Sequence, residues 1–248
     1  MAAIKWVLAT DIDGTLVGHG GERELAHFLS HHPEIGVVYL TGRTRANAEP
    51  MIRHHGYPEP VALATDIGAD IHWGTDLKID ETWAFEQRRE WSPRRAQQLM
   101  EKIDGLQFLG RSSHWRLAFL ADSDEVLARA RTRLVQEGVP ARTLWDAQER
   151  RIDVVPRGAF KGRALKYILS GLNVRAQQCF VAGDAENDSD ILQGRYRGVL
   201  VANATLSLKD SLPSVILRSP YEGAYGVLHG LRQFLHEPLT SLDQEDAG

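Results

Sequence analysis

The sequence is poor in cysteine: Cys179 is the single one among 248 residues. One thiol cannot form an internal disulfide, so the fold must depend on its apolar core. An unpaired cysteine is typical of proteins kept in a reducing compartment. The composition therefore argues against a disulfide-rich secreted scaffold, and we expect a cytoplasmic location.

The sequence also lacks an excess of basic charge. It has 29 Lys and Arg against 33 Asp and Glu, a net charge of -4. Nucleic-acid-binding proteins carry a basic excess or a clustered basic stripe, whereas the densest pairs here, Arg88 with Arg89 and Arg150 with Arg151, are short and lie among glutamates. We expect no nucleic-acid partner.

Long hydrophobic runs are missing as well. The apolar stretch 4–10 is interrupted by Lys5 and ends at Asp11, too short for a bilayer span and without the features of a signal peptide. The apolar fraction of 43% and the charged fraction of 25% are ordinary for a globular protein. We expect no membrane partner. We also expect the protein to be a monomer or a weak dimer.

Short β-rich runs alternate with amphipathic stretches along much of the chain. The apolar patterns predict strands at 4–10, 36–40, 61–64, 178–182 and 198–201, and helices at 22–30, 43–54, 161–170, 188–193 and 223–234. Such alternation is typical of parallel βαβ units. The expected fold is α/β, with a doubly wound, Rossmann-like parallel sheet.

The middle of the chain departs from this rhythm. Its patterns predict a helix at 92–103, a strand at 114–121, a helix at 124–136 and strands at 141–145 and 151–155. An α+β block of this kind, inserted into an α/β sheet, is expected to form a smaller second domain. We therefore predict a core made of residues 1–81 and 157–248, with an inserted domain at 82–156.

Two carboxylates follow the first predicted strand directly, in the segment Asp11-Ile12-Asp13-Gly14-Thr15. In open α/β sheets, ligands bind beyond the carboxyl ends of the strands. The alternative is structural, because Asp-Gly is a common turn pair and acidic residues also suit a solvated loop. The placement favours a functional site.

Two further signals point to an anion. Thr41-Gly42-Arg43 follows the second predicted strand and offers a hydroxyl and an amide at a helix start, although a threonine cap with a glycine turn explains it equally well. Lys161 begins a helix, where a cation is electrostatically disfavoured. A lone lysine is normally a solvated surface residue.

A cluster of acidic residues follows the fourth predicted strand. Its four carboxylates within seven residues belong to Asp184, Glu186, Asp188 and Asp190. They repel one another unless positive charge is present, and a hard divalent cation is the natural occupant. A helix N-terminus explains one or two of these residues, but not the pair that leads into the turn.

The order Asp-x-Asp-Gly-Thr, Thr-Gly-Arg, Lys and Gly-Asp-x-x-Asn-Asp resembles all four motifs of the haloacid dehalogenase-like phosphohydrolase superfamily. The insert resembles the larger, C2-type cap domain of its sucrose-phosphate-phosphatase-like and Cof-like branches. Details similar to the former branch are Asp153-Val154-Val155-Pro156, Val201-Ala202-Asn203-Ala204 and residues 221–234. Asp146-Ala147-Gln148 stands where that branch is expected to have a Ser-Ser-Gly-like turn.

This resemblance implies a Mg2+-dependent phosphatase that hydrolyses a sugar phosphate, with sucrose 6-phosphate or a related glycosyl phosphate as substrate, through an aspartyl-phosphate. Asp11 would be the nucleophile and Asp13 the general acid and base. The phosphate would be bound by Thr41, Gly42, Lys161 and Asn187. Mg2+ would be held by Asp11, Asp184, Asp188 and the backbone carbonyl of Asp13.

These motif residues address the phosphoryl group and the metal, so discrimination between sugars is expected from the insert. Polar candidates on its predicted strands and turns are His114, Arg116, Asp146, Gln148, Arg151 and Asp153. Alternatives remain open: a phosphomutase of the same superfamily, a phosphatase of another small metabolite such as mannosylglycerate phosphate, a receiver-type phosphoacceptor, or a binding module without catalysis.

Overall fold

The computed structural model describes residues 4–146, 149–193 and 195–236. Within these ranges twelve strands form two sheets: β1 (Trp6–Thr10), β2 (Ile35–Leu40), β3 (Ala62–Thr65), β4 (Asp70–Trp73), β5 (Lys78–Ile79), β6 (Leu106–Arg111), β7 (Leu117–Ala121), β8 (Ala141–Asp146), β9 (Arg151–Pro156), β10 (Cys179–Gly183), β11 (Arg197–Leu200) and β12 (Leu217–Arg218). The α-helices in the same ranges are α1 (Glu22–His31), α2 (Arg45–His54), α3 (Glu81–Glu90), α4 (Pro93–Met100), α5 (Asp124–Gln136), α6 (Lys161–Gly171), α7 (Ser189–Leu192), α8 (Leu206–Ser211) and α9 (Gly223–Leu235).

The larger sheet has the strand order β12-β11-β10-β1-β2-β3-β4-β5. It is parallel from β12 to β3, and β4 and β5 extend it in antiparallel pairing. The chain moves outward from β1 through β2 to β3 and later returns to β10 on the other side of β1. This reversal between β1 and β10 is the position where open α/β sheets bind ligands.

Both faces of the larger sheet are buried, which explains the continuous apolar runs of its strands. Leu8 of β1 packs with residues of α1, α2 and α9. Its neighbours Val7 and Ala9 point to the other face and pack with residues of α6, α7 and α8. Helices on both faces of a mainly parallel sheet make this a doubly wound α/β fold, as the sequence predicts.

The smaller sheet is antiparallel, with the strand order β6-β7-β9-β8. One of its faces packs on α4 and α5 through a third apolar cluster that includes Phe119 and Ile152. Serine caps begin both helices: Ser92 accepts a hydrogen bond from the Arg95 N–H, and Ser123 accepts one from the Val126 N–H. The opposite face carries Arg151 and Asp153.

The predicted elements of the larger sheet agree with the structure to within one or two residues at nearly every end. In the middle segment, the helix predicted at 92–103 ends at Met100, and the strand predicted at 114–121 begins at Leu117. Short strands β4, β5 and β12 are additional, as is β6. The predicted start of the insert at residue 82 falls inside α3, and its end coincides with the end of β9; the division into two domains stays a prediction.

No helix in the described ranges combines the length and the apolar character that crossing a bilayer requires.

Candidate active site

Lys161 joins two buried carboxylates at the switch point of the larger sheet. Its Nζ lies 2.7 Å from Asp11 Oδ1 and 2.7 Å from Asp188 Oδ1. Asp11 directly follows β1, Asp188 follows β10, and Lys161 is the first residue of α6. The lysine side chain is fully buried. A buried lysine at a helix start is costly without partners, so the two carboxylates explain why it is there.

The charges of this cluster shift one another. Burial raises the pKa of Asp11, the carboxylates of Asp188 and Asp184 raise it further, and Lys161 opposes the shift. Burial acts to lower the pKa of Lys161, but Asp11 and Asp188 outweigh it and the net shift is upward. Burial, together with the charge of Asp188, raises the pKa of Asp184 to about 6. The site thus holds more negative charge than Lys161 alone neutralises.

The carboxylates of Asp11, Asp184 and Asp188 are arranged so that one oxygen of each lies within 4.8 Å of the others. Thr15 Oγ1 donates to Asp184 Oδ1 at 2.7 Å. Gly14 adopts a φ of 78°, and a Cβ there would lie 2.8 Å from Asp184 Cγ, so glycine is required. An all-oxygen set of partly uncompensated carboxylates fits a hard divalent cation.

The side chain of Asp188 stabilises the loop after β10. Asp188 Oδ2 accepts hydrogen bonds from the N–H groups of Asp184 and Ala185, each at 3.1 Å. Lys161 Nζ also donates to Asn187 Oδ1 at 3.4 Å. Asp188 therefore fixes the loop through one oxygen and Lys161 through the other, and Asn187 lies beside the same ammonium group.

Two of the four acidic residues in this loop point elsewhere. Glu186 Oε1 accepts a hydrogen bond from Thr205 Oγ1 at 2.9 Å. Asp190 Oδ2 accepts one from the Gly162 N–H at 2.8 Å and so caps the first turn of α6. The repulsion inferred from the sequence is thus reduced to the Asp184 and Asp188 pair together with Asp11.

Asp13 lies outside the acidic cluster and is paired with Arg43. The guanidinium donates from Nε to Asp13 Oδ2 at 2.7 Å and from Nη2 to Oδ1 at 2.6 Å. The Asp13 side chain is half exposed. It is therefore accessible to solvent, unlike Asp11, and the spacing of the motif residues does not predict this pairing.

Thr41 and Gly42 follow β2, the strand next to β1. Thr41 is buried, and its Oγ1 accepts a hydrogen bond from the Arg43 N–H at 3.0 Å. A Cβ on Gly42 would lie 3.8 Å from Arg116 Nη1. Arg116, from the segment before β7, therefore lies next to the anion-binding residues predicted at the end of β2.

Three of the predicted sugar-contacting residues form one charged group. Arg116 Nη1 lies 3.5 Å from Asp153 Oδ2, and Arg151 Nε lies 3.0 Å from Asp153 Oδ1. His114 is exposed, and its ring packs edge-on against Trp115. Gln148 and the side chain of Asp146 lie outside the described part of the structure.

Sequence reasoning missed two features beside the site. Asn203 ties the loop after β1 to α9, since its Nδ2 donates to the Gly14 carbonyl at 2.7 Å and its Oδ1 accepts from the Gly223 N–H at 2.9 Å. Asp66 is buried between the two sheets, where it is hydrogen-bonded by Ser113. The Val-Ala-Asn-Ala segment was a signal for the first; no sequence pattern marked the second.

The chain is similar to known proteins in both sequence and fold. A family model described as sucrose-6F-phosphate phosphohydrolase matches residues 4–235. The chain is 26% identical to a mannosylfructose-phosphate phosphatase of Agrobacterium fabrum, over 92% of this chain and 96% of the relative. It is 27% identical to a glucosylglycerol-phosphate synthase of Pseudomonas anguilliseptica over 92% of this chain, but it spans only 30% of that relative's length.

Among solved structures, the chain is similar to the sucrose-phosphatase from Synechocystis sp. PCC6803, whose structure is a complex with sucrose and phosphate. The TM-score is 0.83 and the sequence identity 24%, over 93% of this chain and 98% of that one. This similarity concerns the fold, and it extends through both sheets.

Proposed function

The chain belongs to the sucrose-6F-phosphate phosphohydrolase family, and on that premise we propose that it is a Mg2+-dependent phosphatase acting on a sugar phosphate monoester. One observation carries the proposal: Asp11 lies at the switch point of the sheet, buried, 2.7 Å from Lys161 and beside Asp184 and Asp188. A carboxylate nucleophile, a fixed cation and an acidic metal cluster are the groups that phosphoryl transfer through a covalent aspartyl intermediate needs.

Asp11 is the proposed nucleophile. One of its carboxylate oxygens attacks phosphorus, an O–P bond forms, and the ester P–O bond breaks to leave an aspartyl-phosphate. Asp13 gives its proton to the departing sugar oxygen. In the second half-reaction Asp13, now a carboxylate, takes a proton from water, whose oxygen attacks phosphorus and releases phosphate from Asp11.

The phosphoryl oxygens need donors around them while this happens. Lys161 supplies a full positive charge held in place by Asp188. The Thr41 hydroxyl, the Gly42 N–H and Asn187 complete the proposed phosphate seat. These groups are fixed by β2, α6 and the loop after β10 before substrate arrives, so little reorganisation opposes the reaction.

The metal ligands in this proposal are Asp11, Asp184, Asp188 and the backbone carbonyl of Asp13. These residues would hold Mg2+, which would supply the positive charge that a carboxylate and a phosphate need in order to approach each other. The excess negative charge of the cluster and its oxygen-only donors support this assignment.

Substrate choice is assigned to the second sheet. We propose sucrose 6-phosphate or a related glycosyl phosphate, with Arg116, Arg151 and Asp153 contacting sugar hydroxyls and His114, Asp146 and Gln148 as further candidates. The relatives named for mannosylfructose phosphate and glucosylglycerol phosphate support a substrate in which a sugar carries a second glycosyl or polyol unit. The proposal keeps the chain as a cytoplasmic monomer or weak dimer.

A substrate panel tests the proposal. The protein is incubated with Mg2+ and sucrose 6-phosphate, mannosylfructose phosphate, glucosylglycerol phosphate, mannosylglycerate phosphate and hexose monophosphates, and both free phosphate and isomerised sugar phosphate are measured. We expect phosphate release, fastest with a glycosyl phosphate. Isomerised product without free phosphate would make the chain a phosphomutase, and binding without either product would make it a catalytically silent module.

Two variants calibrate the panel. Asp11→Asn removes the proposed nucleophile, whereas Asp76→Asn changes an exposed aspartate outside the site. Phosphate release should vanish in Asp11→Asn and persist in Asp76→Asn.

A further inference from the structure

A cavity lies away from the candidate active site, beside the chain segments that connect the two sheets. Its volume is about 250 Å³. α3, the turn at Pro140 and the segment 156–158 that follows β9 supply most of its walls, and the first turn of α6 closes it. Its lining shares no residue with the site around Asp11.

The lining is rich in cations. Arg89, Arg157 and Arg163 all contribute, against a single carboxylate, Glu86. Arg163 Nη2 lies 3.2 Å from Glu86 Oε2, so that carboxylate is already engaged. Among the described residues no acidic side chain pairs with Arg157. Arg157 therefore brings to the cavity a positive charge that no described carboxylate pairs with, and planar guanidinium groups suit phosphate and carboxylate oxygens.

Gln87 adds an unused amide to the same wall. Its side chain is only 3% exposed, and its Nε2 has no hydrogen-bond partner among the described residues. A buried amide donor without a partner destabilises the fold, and a bound oxyanion would satisfy it. The terminal torsion of glutamine is broad, so a half-turn of the amide exchanges Nε2 and Oε1 at the cavity wall.

Gly158 lets the side chains of Arg163 and Gln87 approach the backbone at this wall. A Cβ there would lie 2.9 Å from Gln87 Oε1 and would collide with Arg163 Nη1. The Gly158 carbonyl accepts a hydrogen bond from Arg163 at 3.2 Å. Because Gly158 is three residues before Lys161, a ligand here would touch the segment that leads into the active site.

We propose that this cavity is a binding site for a phosphate group, borne by a small metabolite or present as inorganic phosphate, separate from the site where substrate reacts. The guanidinium groups of Arg157 and Arg163 and the unpartnered Gln87 amide provide the donors. The volume is just below the ~300 to 1,000 Å³ of typical small-molecule sites, which suits a compact phosphate rather than a nucleotide. Occupancy would tie α3 to the segment 156–158, both of which connect the two sheets.

The test is a titration followed by ¹H–¹⁵N NMR without divalent metal, so that no turnover occurs. The probes are inorganic phosphate and glycerol 3-phosphate. The Gln87 side-chain NH₂ and the Gly158 amide report on the cavity, and the Gly42 amide reports on the active site. We expect saturable shifts at Gln87 and Gly158, and the tighter of the two probes identifies the source of the phosphate.

Two variants make the assignment specific. Arg157→Gln removes the unpaired guanidinium. The dissociation constant measured from the Gln87 and Gly158 signals should rise about tenfold, and the response at Gly42 should not change. Arg88→Gln, an exposed arginine on α3 outside the cavity, is the matched control and should change neither. Absent shifts at Gln87 and Gly158, or equal shifts in wild type and Arg157→Gln, would overturn the proposal. A response at Gln87 and Gly158 with none at Gly42 would support the proposal, and the proposed function is then judged by the substrate panel, because phosphate is expected to reach the acidic cluster only with Mg2+ bound.

Discussion

Arg43 holds Asp13 through two parallel hydrogen bonds, Nε to Oδ2 at 2.7 Å and Nη2 to Oδ1 at 2.6 Å. This is the bidentate geometry that arginine forms with a carboxylate. It fixes the direction of the proposed acid and base without touching Asp11. It also means that Asp13 must give up one bond to Arg43 before it carries the proton that the leaving sugar needs.

Replacing Arg43 is expected to slow proton transfer rather than nucleophilic attack. Arg43→Leu frees Asp13 and should lower kcat for a sugar phosphate about 100-fold, because small misplacements of catalytic groups are that costly. Arg43→Lys keeps the charge but loses the two parallel hydrogen bonds to Asp13, so its kcat should lie between those of Arg43→Leu and wild type. With p-nitrophenyl phosphate, whose leaving group needs little protonation, the loss should be below about fivefold. Equal losses for both substrates would show that Arg43 does not act through Asp13.

Metal removal is expected to abolish activity and to lower stability. In the proposal the native acidic cluster binds the ion and the unfolded chain does not, so Mg2+ should raise the Tm of wild type and restore activity after EDTA treatment. Ca2+ should inhibit, since its longer bonds and higher coordination number displace the carboxylates. Asp184→Asn should lose most of the Tm increase, whereas Asp76→Asn should keep it. Activity that survives chelation would remove the metal from the mechanism.

Asp66 is expected to make stability depend on pH. Burial raises its pKa to about 6, against the opposing effects of Ser113 and Arg116. The native state therefore binds this proton more tightly than the unfolded state, and the free energy of unfolding falls as pH rises from about 4 to 6. Asp66→Asn is neutral throughout and should raise the free energy of unfolding at pH 7.5 by about 2 to 3 kcal/mol.

Urea denaturation at pH 5 and pH 7.5 measures this effect. The gain from Asp66→Asn should be smaller at pH 5 than at pH 7.5, and the exposed control Asp76→Asn should show no such difference. A destabilised Asp66→Asn at pH 7.5 would mean that the Asp66 carboxylate is needed in its charged form.

Arg116 is expected to govern sugar specificity. It lies 3.5 Å from Asp153 and reaches toward Gly42 at the proposed phosphate seat. Arg116→Ala should lower kcat/KM for sucrose 6-phosphate about 10- to 100-fold, the effect of leaving a buried polar partner unpaired, and change that for p-nitrophenyl phosphate little. Arg131→Ala, on α5 against the other face of the second sheet, is the control. Equal losses for both substrates would assign Arg116 a purely structural role.

The motif-bearing part of the molecule was predictable because of its topology. Asp11, Thr41 and Asp184 each follow a strand with a strong apolar pattern, and parallel neighbours bring those strand ends together. The sequence alone therefore places these residues together at one edge of the larger sheet. Lys161 could be singled out as a site residue because a cation is unusual at a helix start, and its two carboxylate partners explain that position.

The second sheet and its contacts were less predictable. β6 is half exposed along its whole length and lies at a sheet edge, so its pattern carries little burial signal. β4 and β5 are too short to show a period. Contacts such as the 2.6 Å hydrogen bond from Trp115 Nε1 to Asp70 depend on how the two sheets meet, which no local pattern encodes.

The most direct test of the account is to trap the phosphoryl group on Asp11. Wild-type protein with Mg2+ is mixed with ³²P-labelled sugar phosphate, quenched in acid within milliseconds, and digested for mass spectrometry; Asp13→Asn, which should slow release, is treated in parallel. We expect an alkali-labile label on the peptide containing Asp11, more of it in Asp13→Asn, and none in Asp11→Asn. Label on another residue, or phosphate release by Asp11→Asn at more than a few per cent of the wild-type rate, would contradict the assignment of Asp11 as nucleophile.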